Sequence, residues 1–472
     1  LQPFTDTEFW ITSKSLGKYV CPGKDAIGVV FYLHYWDLLR STITKAVNLI
    51  FSTGHMPDEW TEGIIYMIPK TDARCDEISK WRPITLLNDI YKIVAKTIAN
   101  RMRPLLPSII HDTQSGFLQD RSIFDNIFLF WEMTALAQHH KQSLAILLLD
   151  FEKAYDKVDW DFLEAVLLKL GFPCAWIKGV SALYRHASSS VLFSGGYGTL
   201  FPISRSVRQG CPLAPFLFIL FGEALSSFLI SSTVAIQAIA LPIENSTVLD
   251  AEFADDTALY INGDVSNLDR VQNALQTFSD ATGASLNWNK SVGLWVSDVP
   301  RLEWYPGPEF RWLNNGEPIR YLGCLVGIDL SPKAMLSPLL LSIKRKLVYW
   351  DAQHLSFAGR VVITNSVLLA SMWFIASVWL FSRSAIMKVQ SLIRNFLWGG
   401  KNGSRAVAKV AWDVLVMPKS QGGLALIDPL MQSRALLTKF VVRGLLPGTE
   451  AWKGMLLNQL MQLSPKTGGN WL

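Results

Sequence analysis

The hydrophobic period along the chain changes several times, and each change predicts an element. Residues 29–52 carry Tyr32, Trp36, Leu39, Ile43 and Val47 at helical spacing. EGIIYMIPK, 62–70, predicts a short strand ending in Pro-Lys, followed by a polar loop containing TDARCDE and then by WRPITLL. Leu87, Ile90, Tyr91, Val94, Ile98 and Met102 form one apolar face, which predicts a helix over 86–103 stopped by Pro104. Lys92, Lys96 and Arg103 fall on its other side, as a solvated face or a phosphate-contacting one. SLAILLLD, 143–150, is continuously apolar, the pattern of a strand buried on both faces. DWDFLEAVLLKLGF predicts a helix capped by Asp159 or Asp161 and closed by Gly171. Residues 190–207 read as a β-hairpin around SGGYG. GCPLAPFLFILFGEALSSFL opens a helix with Pro212 suited to its first turn. VLDAEFADDTALYING, 248–263, reads as two short strands with Ala254, Asp255 and Asp256 at or near the bend, and a helix follows from Asn267 to about Gly283. RYLGCLVG, 320–327, is another strand pair, and beyond 331 the pattern is mostly helical. Strands and helices interleave with antiparallel hairpins, so the expected class is α+β.

The chain has 472 residues, half of them hydrophobic, enough for two or three domains. Only 18% are charged, which excludes wholesale disorder. The net charge of +5 permits a polyanionic partner without requiring one. Cys21, Cys75, Cys174, Cys211 and Cys324 lie far apart with no CxxC pair, which excludes a zinc knuckle or a disulfide framework. A reducing, intracellular compartment is expected, nucleus or cytoplasm. The chain starts at Leu1 with no signal-peptide pattern, as a fragment would. VVITNSVLLASMWFIASVWLFS, 361–382, is uncharged over a bilayer-spanning length. Thr364, Asn365 and its serines, with Arg360 and Arg383 at its flanks, fit a buried helix better than a membrane span.

Three carboxylates carry the candidate chemistry. Asp150 ends an apolar strand, and Asp255 and Asp256 sit at the bend of another strand pair. If both belong to one sheet, three acids converge at one edge, an expensive arrangement unless cations neutralise it. Hard divalent cations suit oxygen ligands, and Mg²⁺ is the usual choice beside phosphates, with Mn²⁺ as a substitute. Two such ions about 3.5–4 Å apart can activate a 3′-hydroxyl and stabilise a leaving pyrophosphate. An isolated Asp-Asp pair would more simply mark a polar turn, but that leaves the acid closing an eight-residue apolar run unexplained.

LLLDFEKAYDKVDW and FADD resemble the first and third palm motifs of reverse transcriptases, of the non-long-terminal-repeat type found in plant long interspersed elements. IPK, WRPITLLNDIYKIVAKTIANRM, QSGFLQDRSIFDN, RQGCPLAPFLF, GASLNWNKS and YLGCLVG follow in that family's order, making eight ordered motifs over about 60–327. The resemblance implies a right-hand polymerase: fingers and palm in 60–327, a helical N-terminal extension in 1–59, and a helical thumb and connector in 328–472. It implies an RNA-directed DNA polymerase that extends a DNA primer on an RNA template with dNTPs. Asp150 and Asp255 would bind the metals, with Asp256 in support. Phe151 would lie beside the incoming nucleotide, and Tyr155 would exclude a ribose 2′-hydroxyl. Lys70 and Arg82 would grip the triphosphate. Arg208, Gln209 and Gly210 would shape the nucleotide pocket, and Lys290 would assist pyrophosphate departure. Gln114, Gly116, Phe117 and Arg121 match a template-contacting motif, and Tyr321, Leu322 and Gly323 match the primer grip.

Two departures stand inside RQGCPLAP, where Cys211 and Ala214 replace the family's more frequent Asp and Ser. Loss of an acid at 211 removes a hydrogen-bond acceptor behind the pocket. They leave open a second reading, a catalytically decayed polymerase-like fold that only binds RNA. No endonuclease, RNase H or Cys/His cluster pattern is seen in the chain.

Overall fold

The architecture is built on one five-stranded palm sheet. In the computed structural model, residues 2–70, 76–241, 247–301, 303–307, 309–350, 354–399 and 406–467 are described. Helices α1 (Asp6–Ser15), α2 (Val29–His34) and α3 (Trp36–Thr53) open the chain. The single helix expected over 29–52 is therefore two, because Tyr35 leaves helical geometry at φ −98° and ψ 19°. Strands β1 (Gly63–Pro69) and β2 (Trp81–Leu87) pair antiparallel. Residues 71–75 of the TDARCDE loop, Cys75 included, lie outside the described residues. The next helix, α4 (Asp89–Met102), starts later than its apolar stripe suggests, because Leu87 pairs with Gly63 in the sheet.

Helix α5 (Ile123–His140) has a complete capping box from Ser122 and Asp125. It leads to β3 (Leu144–Leu149), buried at all six positions. Asp159 caps α6 (Trp160–Lys169), accepting from Phe162 N. Next come α7 (Cys174–Ser181) and β4 (Ser188–Phe193), which pairs parallel to β1 and antiparallel to short strands at 196–197 and 201–202. The hairpin expected to reach 207 thus ends at Pro202. Helix α8 (Ala214–Ile230) begins with Pro215 in its first turn, and Pro212 lies in the turn before it.

Strands β5 (Asp250–Phe253) and β6 (Asp256–Asn262) form the expected hairpin. Asp264 caps α9 (Val265–Thr282), two residues earlier than expected, and Gly283 ends it with left-handed φ. Strands β7 (Val292–Val296) and β8 (Arg311–Leu313), to which the apolar pattern assigns no element, complete a palm sheet of order β8-β7-β3-β6-β5. A separate hairpin follows, β9 (Ile319–Tyr321) with β10 (Cys324–Val326).

The palm sheet divides two cores. Ala145, Leu147 and Leu149 of β3 face one, with α4, α8 and α9. Leu144, Ile146 and Leu148 face the other, with α5, the β9–β10 hairpin and Trp452. Alternation on a strand buried on both faces explains why β3 reads as an unbroken apolar run. Phe4, Phe9, Val47 and Phe51 of the first 59 residues belong to the same core as the palm, so no separate core marks a boundary there. A third core joins α10 (Pro332–Tyr349), α11 (Phe357–Ile363), α12 (Ala370–Ala376), α13 (Arg383–Leu397) and the start of α14 (Pro429–Leu445).

The apolar run at 361–382 lies partly in a helical stretch, Phe357–Ala376, that is long and apolar enough to cross a membrane. Within it Thr364 is buried, and Asn365 accepts from Ile427 N at 3.0 Å and donates to Ala425 O at 3.0 Å. Helix α15 (Ala451–Thr467) leaves the third core and packs on α5. Arg443 pairs there with Asp125 and Glu450, and Trp452 Nε1 donates to Asp125 at 3.0 Å.

Leu147 is fully buried where β3 pairs with both β6 and β7. Leu147→Ala should cost about 2–5 kcal/mol in urea denaturation. Leu341→Ala, at an exposed position of α10, should change stability by less than about 0.5 kcal/mol.

Candidate active site

Register places the acids. In the antiparallel ladder of β3 and β6, Leu149 stands opposite Thr257, so the next step sets Asp150 opposite Asp256. The β5–β6 turn has two residues, Ala254 and Asp255, between paired Phe253 and Asp256. Ala254 adopts φ +58°, a left-handed conformation that costs a non-glycine residue roughly 1–2 kcal/mol and persists only when its surroundings enforce it. The Asp150 segment is fixed from the other side. Asp150 N donates to Ser291 Oγ at 3.1 Å, Asn287 N donates to Asp150 O at 2.8 Å, and Glu152 N donates to Ser285 O at 2.9 Å. GASLNWNKS thus pairs with the chain just past β3, a role its sequence did not disclose.

Asp255 and Asp256 both feel their neighbouring carboxylates. Burial is the first cause that raises the Asp255 carboxyl above its ordinary range; Asp150 adds to it and Arg82 opposes it. Protein crowded around Asp256 pushes its carboxyl up to about 6, with Asp255 and then Asp150 contributing. Both side chains keep an exposed side, so part of the repulsion is screened by solvent. Lys290 Nζ lies 3.6 Å from Asp150 Oδ2, an exposed contact of small energetic weight.

Among the described residues, no three carboxylate, imidazole or thiol groups converge into a ready-made ion cage. The donor set nevertheless fits a hard divalent cation. It offers carboxylate oxygens at one sheet end, mutually repelling and open on one side. Such an ion takes one or two protein carboxylates and completes its shell with water and substrate phosphates.

Tyr155 stacks on Phe218 with rings 4.5 Å apart and 9° from parallel. Its hydroxyl is raised by burial and then by Asp255, so the ring stands beside the acids. Phe151 is half-buried and bridges to Leu286. Arg82 is exposed on β2, and its charge reaches Asp255. Lys70 is exposed just past β1, and its backbone N–H donates to Lys80 O at 2.9 Å.

The RQG segment braces the fingers against the palm. Arg208 is 3% exposed and donates to the carbonyls of Thr61 and Ser188, so its guanidinium ties strands together. Gln209 O accepts from Thr85 N at 2.7 Å. Gly210 has φ +119°, and a Cβ there would meet Thr85 O at 2.3 Å. Cys211 sits buried between two phenols, with Tyr91 Oη at 3.6 Å and Tyr184 Oη at 3.5 Å from its sulfur. A carboxylate at 211 would face both hydroxyls, which identifies the acceptor that the thiol replaces weakly.

The residues matched to template and primer motifs are mostly interior. Gln114 is 2% exposed, behind the Ala254–Asp255 turn. Arg121 is committed to the carbonyls of Gln114 at 2.8 Å and Ile110 at 3.1 Å, with Asp112 at 3.2 Å. Gly116 packs so closely that a Cβ would stand 2.6 Å from Ala254 N. Phe117, with φ +60°, is exposed and stacks toward Phe253. Tyr321 and Leu322 are buried, and Leu322 and Gly323, both at positive φ, form the β9–β10 turn. Asp256 contributes to raising the Tyr321 hydroxyl, so this hairpin lies by the acids. Lys92, expected as solvated or phosphate-contacting, is engaged by Asp89 at 2.7 Å and Cys21 O at 3.1 Å.

A second set of acids went unnoticed. Asp250 and Glu252 alternate on one face of β5, and both are fully or almost fully buried beside Glu223 of α8. Burial, then Asp250 and Glu223, hold the Glu252 carboxyl well above the ordinary range. Ser226 donates to Asp250 at 2.6 Å, and His111 pairs with Glu223. The signal available was two acids spaced by two in an otherwise apolar strand.

A palm sheet antiparallel throughout except for its parallel β7–β8 edge pair, bearing carboxylates at one end of its central strand and braced against a fingers sheet, defines a right-hand polymerase. The chain matches the family described as "Reverse transcriptase (RNA-dependent DNA polymerase)" over residues 68–326, more than half its length, and it belongs to that family. It is 30% identical over 411 residues to the transposon TX1 uncharacterized 149 kDa protein of Xenopus laevis, covering 86% of this chain and 30% of that protein. It is 27% identical to the Pol polyprotein from type-1 retrotransposable element R2 of Popillia japonica, covering 60% of this chain and 40% of that one. The RNA-directed DNA polymerase from mobile element jockey of Drosophila melanogaster is 22% identical, covering 79% of this chain and 41% of that protein. The chain therefore spans 30–41% of the length of these curated relatives. A Candida tropicalis telomerase structure superposes with TM-score 0.42 and 14% identity over 76% of this chain and 57% of that one, too loosely to argue from.

The pair formed by His111 and Glu223 generates a pH prediction. Glu223 holds the His111 imidazole above its ordinary value against the opposing effect of burial, and Asp250 and Asp112 add to the rise. A raised histidine contributes stability below its unfolded value of about 6.5 and loses it as pH rises through the folded value. His111→Gln should therefore be less stable than the parent at about pH 6, with the gap closing at higher pH. Thermal midpoints across that range check it.

Proposed function

We propose that this chain is the RNA-directed DNA polymerase segment of a non-long-terminal-repeat retrotransposon protein. It would extend a DNA 3′-end on an RNA template with dNTPs and Mg²⁺, Mn²⁺ being able to substitute. The observation that carries this reading is the register of Asp150 against Asp256 with Asp255 on the adjoining turn. Names of the relatives support the choice of reaction: jockey's protein is called an RNA-directed DNA polymerase.

In this mechanism Asp150 and Asp255 would hold the ions, and Asp256 would add charge beside them. The bound cations would supply the positive charge that activates the primer hydroxyl and offsets the leaving pyrophosphate. Arg82 brings a planar cationic fork toward Asp255, where it would meet the triphosphate of an incoming nucleotide. Lys290, beside Asp150, would offer a counter-charge to a departing pyrophosphate. Tyr155, held flat by Phe218, leaves a rigid ring near the sugar position and would exclude a 2′-hydroxyl by volume. Cys211 and Ala214 are buried beside the RQG turn, where they would alter the support of a nucleotide pocket and leave Asp150, Asp255 and Asp256 unchanged.

Primer extension on poly(rA)/oligo(dT) with Mg²⁺ tests the reading. The parent should incorporate dTMP, and Asp255→Asn should lower the rate by at least about 100-fold with folding intact. A parent that holds RNA but never incorporates nucleotide would favour the RNA-binding reading instead.

A further inference from the structure

The polymerase reading assigns the ions to Asp150 and Asp255 but leaves open what keeps Asp255 in place. Its turn is strained at Ala254, φ +58°, and it lies at the end of β5, the last strand of the palm sheet. The outer edge of β5 is covered by residues 113–115. Glu252 N donates to Thr113 O at 3.0 Å, Ser115 N donates to Glu252 O at 2.8 Å, and Gln114 bridges to Glu252 in parallel register.

The side chain of Gln114 then turns inward. Its Oε1 accepts from Gly116 N at 2.8 Å and from Ala254 N at 3.1 Å. Its Nε2 donates to Glu252 Oε2 at 3.0 Å. The orientation of the amide follows from its partners, since two backbone donors face one atom and that atom must be the oxygen. Gly116 is required beside it, because a Cβ there would stand 2.6 Å from Ala254 N and 2.9 Å from Gln114 Oε1. Ser115, the residue between them, donates to Asn126 at 2.8 Å and so anchors the segment to α5.

We propose that Gln114 is a positioning residue: its buried amide clamps the Ala254–Asp255 turn to the 113–116 segment and so aims the Asp255 carboxylate. This rests on the polymerase reading for its consequence, but not for its geometry. The amide touches no reacting atom. It satisfies the Ala254 N–H, which a two-residue turn leaves without a partner across the hairpin, and it locks the wrong-handed residue directly before the metal-binding acid. A buried donor or acceptor left unsatisfied shifts the equilibrium toward any alternative turn that satisfies it. A small displacement of a reacting group lowers rate more than affinity.

The test uses Gln114→Leu, which keeps bulk and removes both polar functions, and the swap Gln114→Glu with Glu252→Gln. In the swap the carboxylate at 114 accepts from Gly116, Ala254 and the new amide at 252, so the same three bonds form, with donor and acceptor exchanged only between 114 and 252. Two readouts are taken. Amide exchange at Ala254 should quicken in Gln114→Leu and return toward the parent in the swap. The kcat of primer extension should fall by about 100-fold in Gln114→Leu, with KM for dNTP within about threefold, and recover in the swap.

Unchanged Ala254 exchange in Gln114→Leu overturns the clamp. Faster exchange with unchanged kcat overturns its role in aiming Asp255, as does a loss of kcat that the swap leaves unrepaired despite restored protection. If Gln114→Leu does not fold, the swap compared with Gln114→Glu alone decides the point by the same readouts. A parent that shows the exchange pattern but no incorporation contradicts the polymerase reading while leaving the clamp intact.

Discussion

The antiparallel register between β3 and β6 is the constraint on which the site depends. Side chains alternate across a strand, so a slip of one residue would turn each core-facing residue of β3 to the opposite core. Leu147 and Ile146 face different cores, and both cores are closed by helices, so the packing on each side enforces the same register. The ladder then extends by one step to place Asp150 opposite Asp256. Asp150 and Asp256 need no loop to find their positions, and Asp255 sits on the two-residue turn between β5 and β6. They sit where two apolar strands end, and the precision of the sheet becomes the precision of the site.

That arrangement sets stability against function. An apolar frame disfavours charge, and neighbouring carboxylates disfavour each other. The carboxyls of Asp255 and Asp256 are raised by both effects. The protein accepts the strain by surrounding it with structure that does not relax. Ser291 and Asn287 hold the Asp150 backbone, the 113–116 segment covers the edge of β5, and Thr85 ties the RQG turn to β2. Arg208 and Arg121 serve the same end, since their guanidinium groups are engaged by carbonyls in the interior. These motif residues form part of the frame around the acids.

How much of this was legible in the sequence follows from which signals are local. The unbroken apolar run before Asp150, the acid pair at a bend and the stop at Gly283 are short-range patterns, and the structure has them. Two helices in place of one over 29–52 were not legible, because helical spacing continues through Tyr35 while its backbone does not. Strand β7 was hidden because VGLWV follows a polar stretch and earns its pairing only from β3 across the sheet. The interior placement of Gln114 and Arg121 was equally hidden, since polar residues in a polar segment read as surface until the partner strand is known. The buried Asp250–Glu252–Glu223 group shows the same limit, because charge in sequence does not reveal which face of β5 it occupies.

The central claim is that three mutually repelling acids are held at one sheet end for a divalent cation. Thermal midpoints of the parent, Asp256→Asn and the double variant Asp150→Asn/Asp255→Asn, each with and without Mg²⁺, test it most directly. Without the ion, Asp256→Asn should melt above the parent, because a repulsion is removed. With Mg²⁺ at about ten times its Kd, the parent should gain about 1.4 kcal/mol and the double variant nothing. A parent unmoved by Mg²⁺, or a double variant stabilised as much as the parent, would contradict the account.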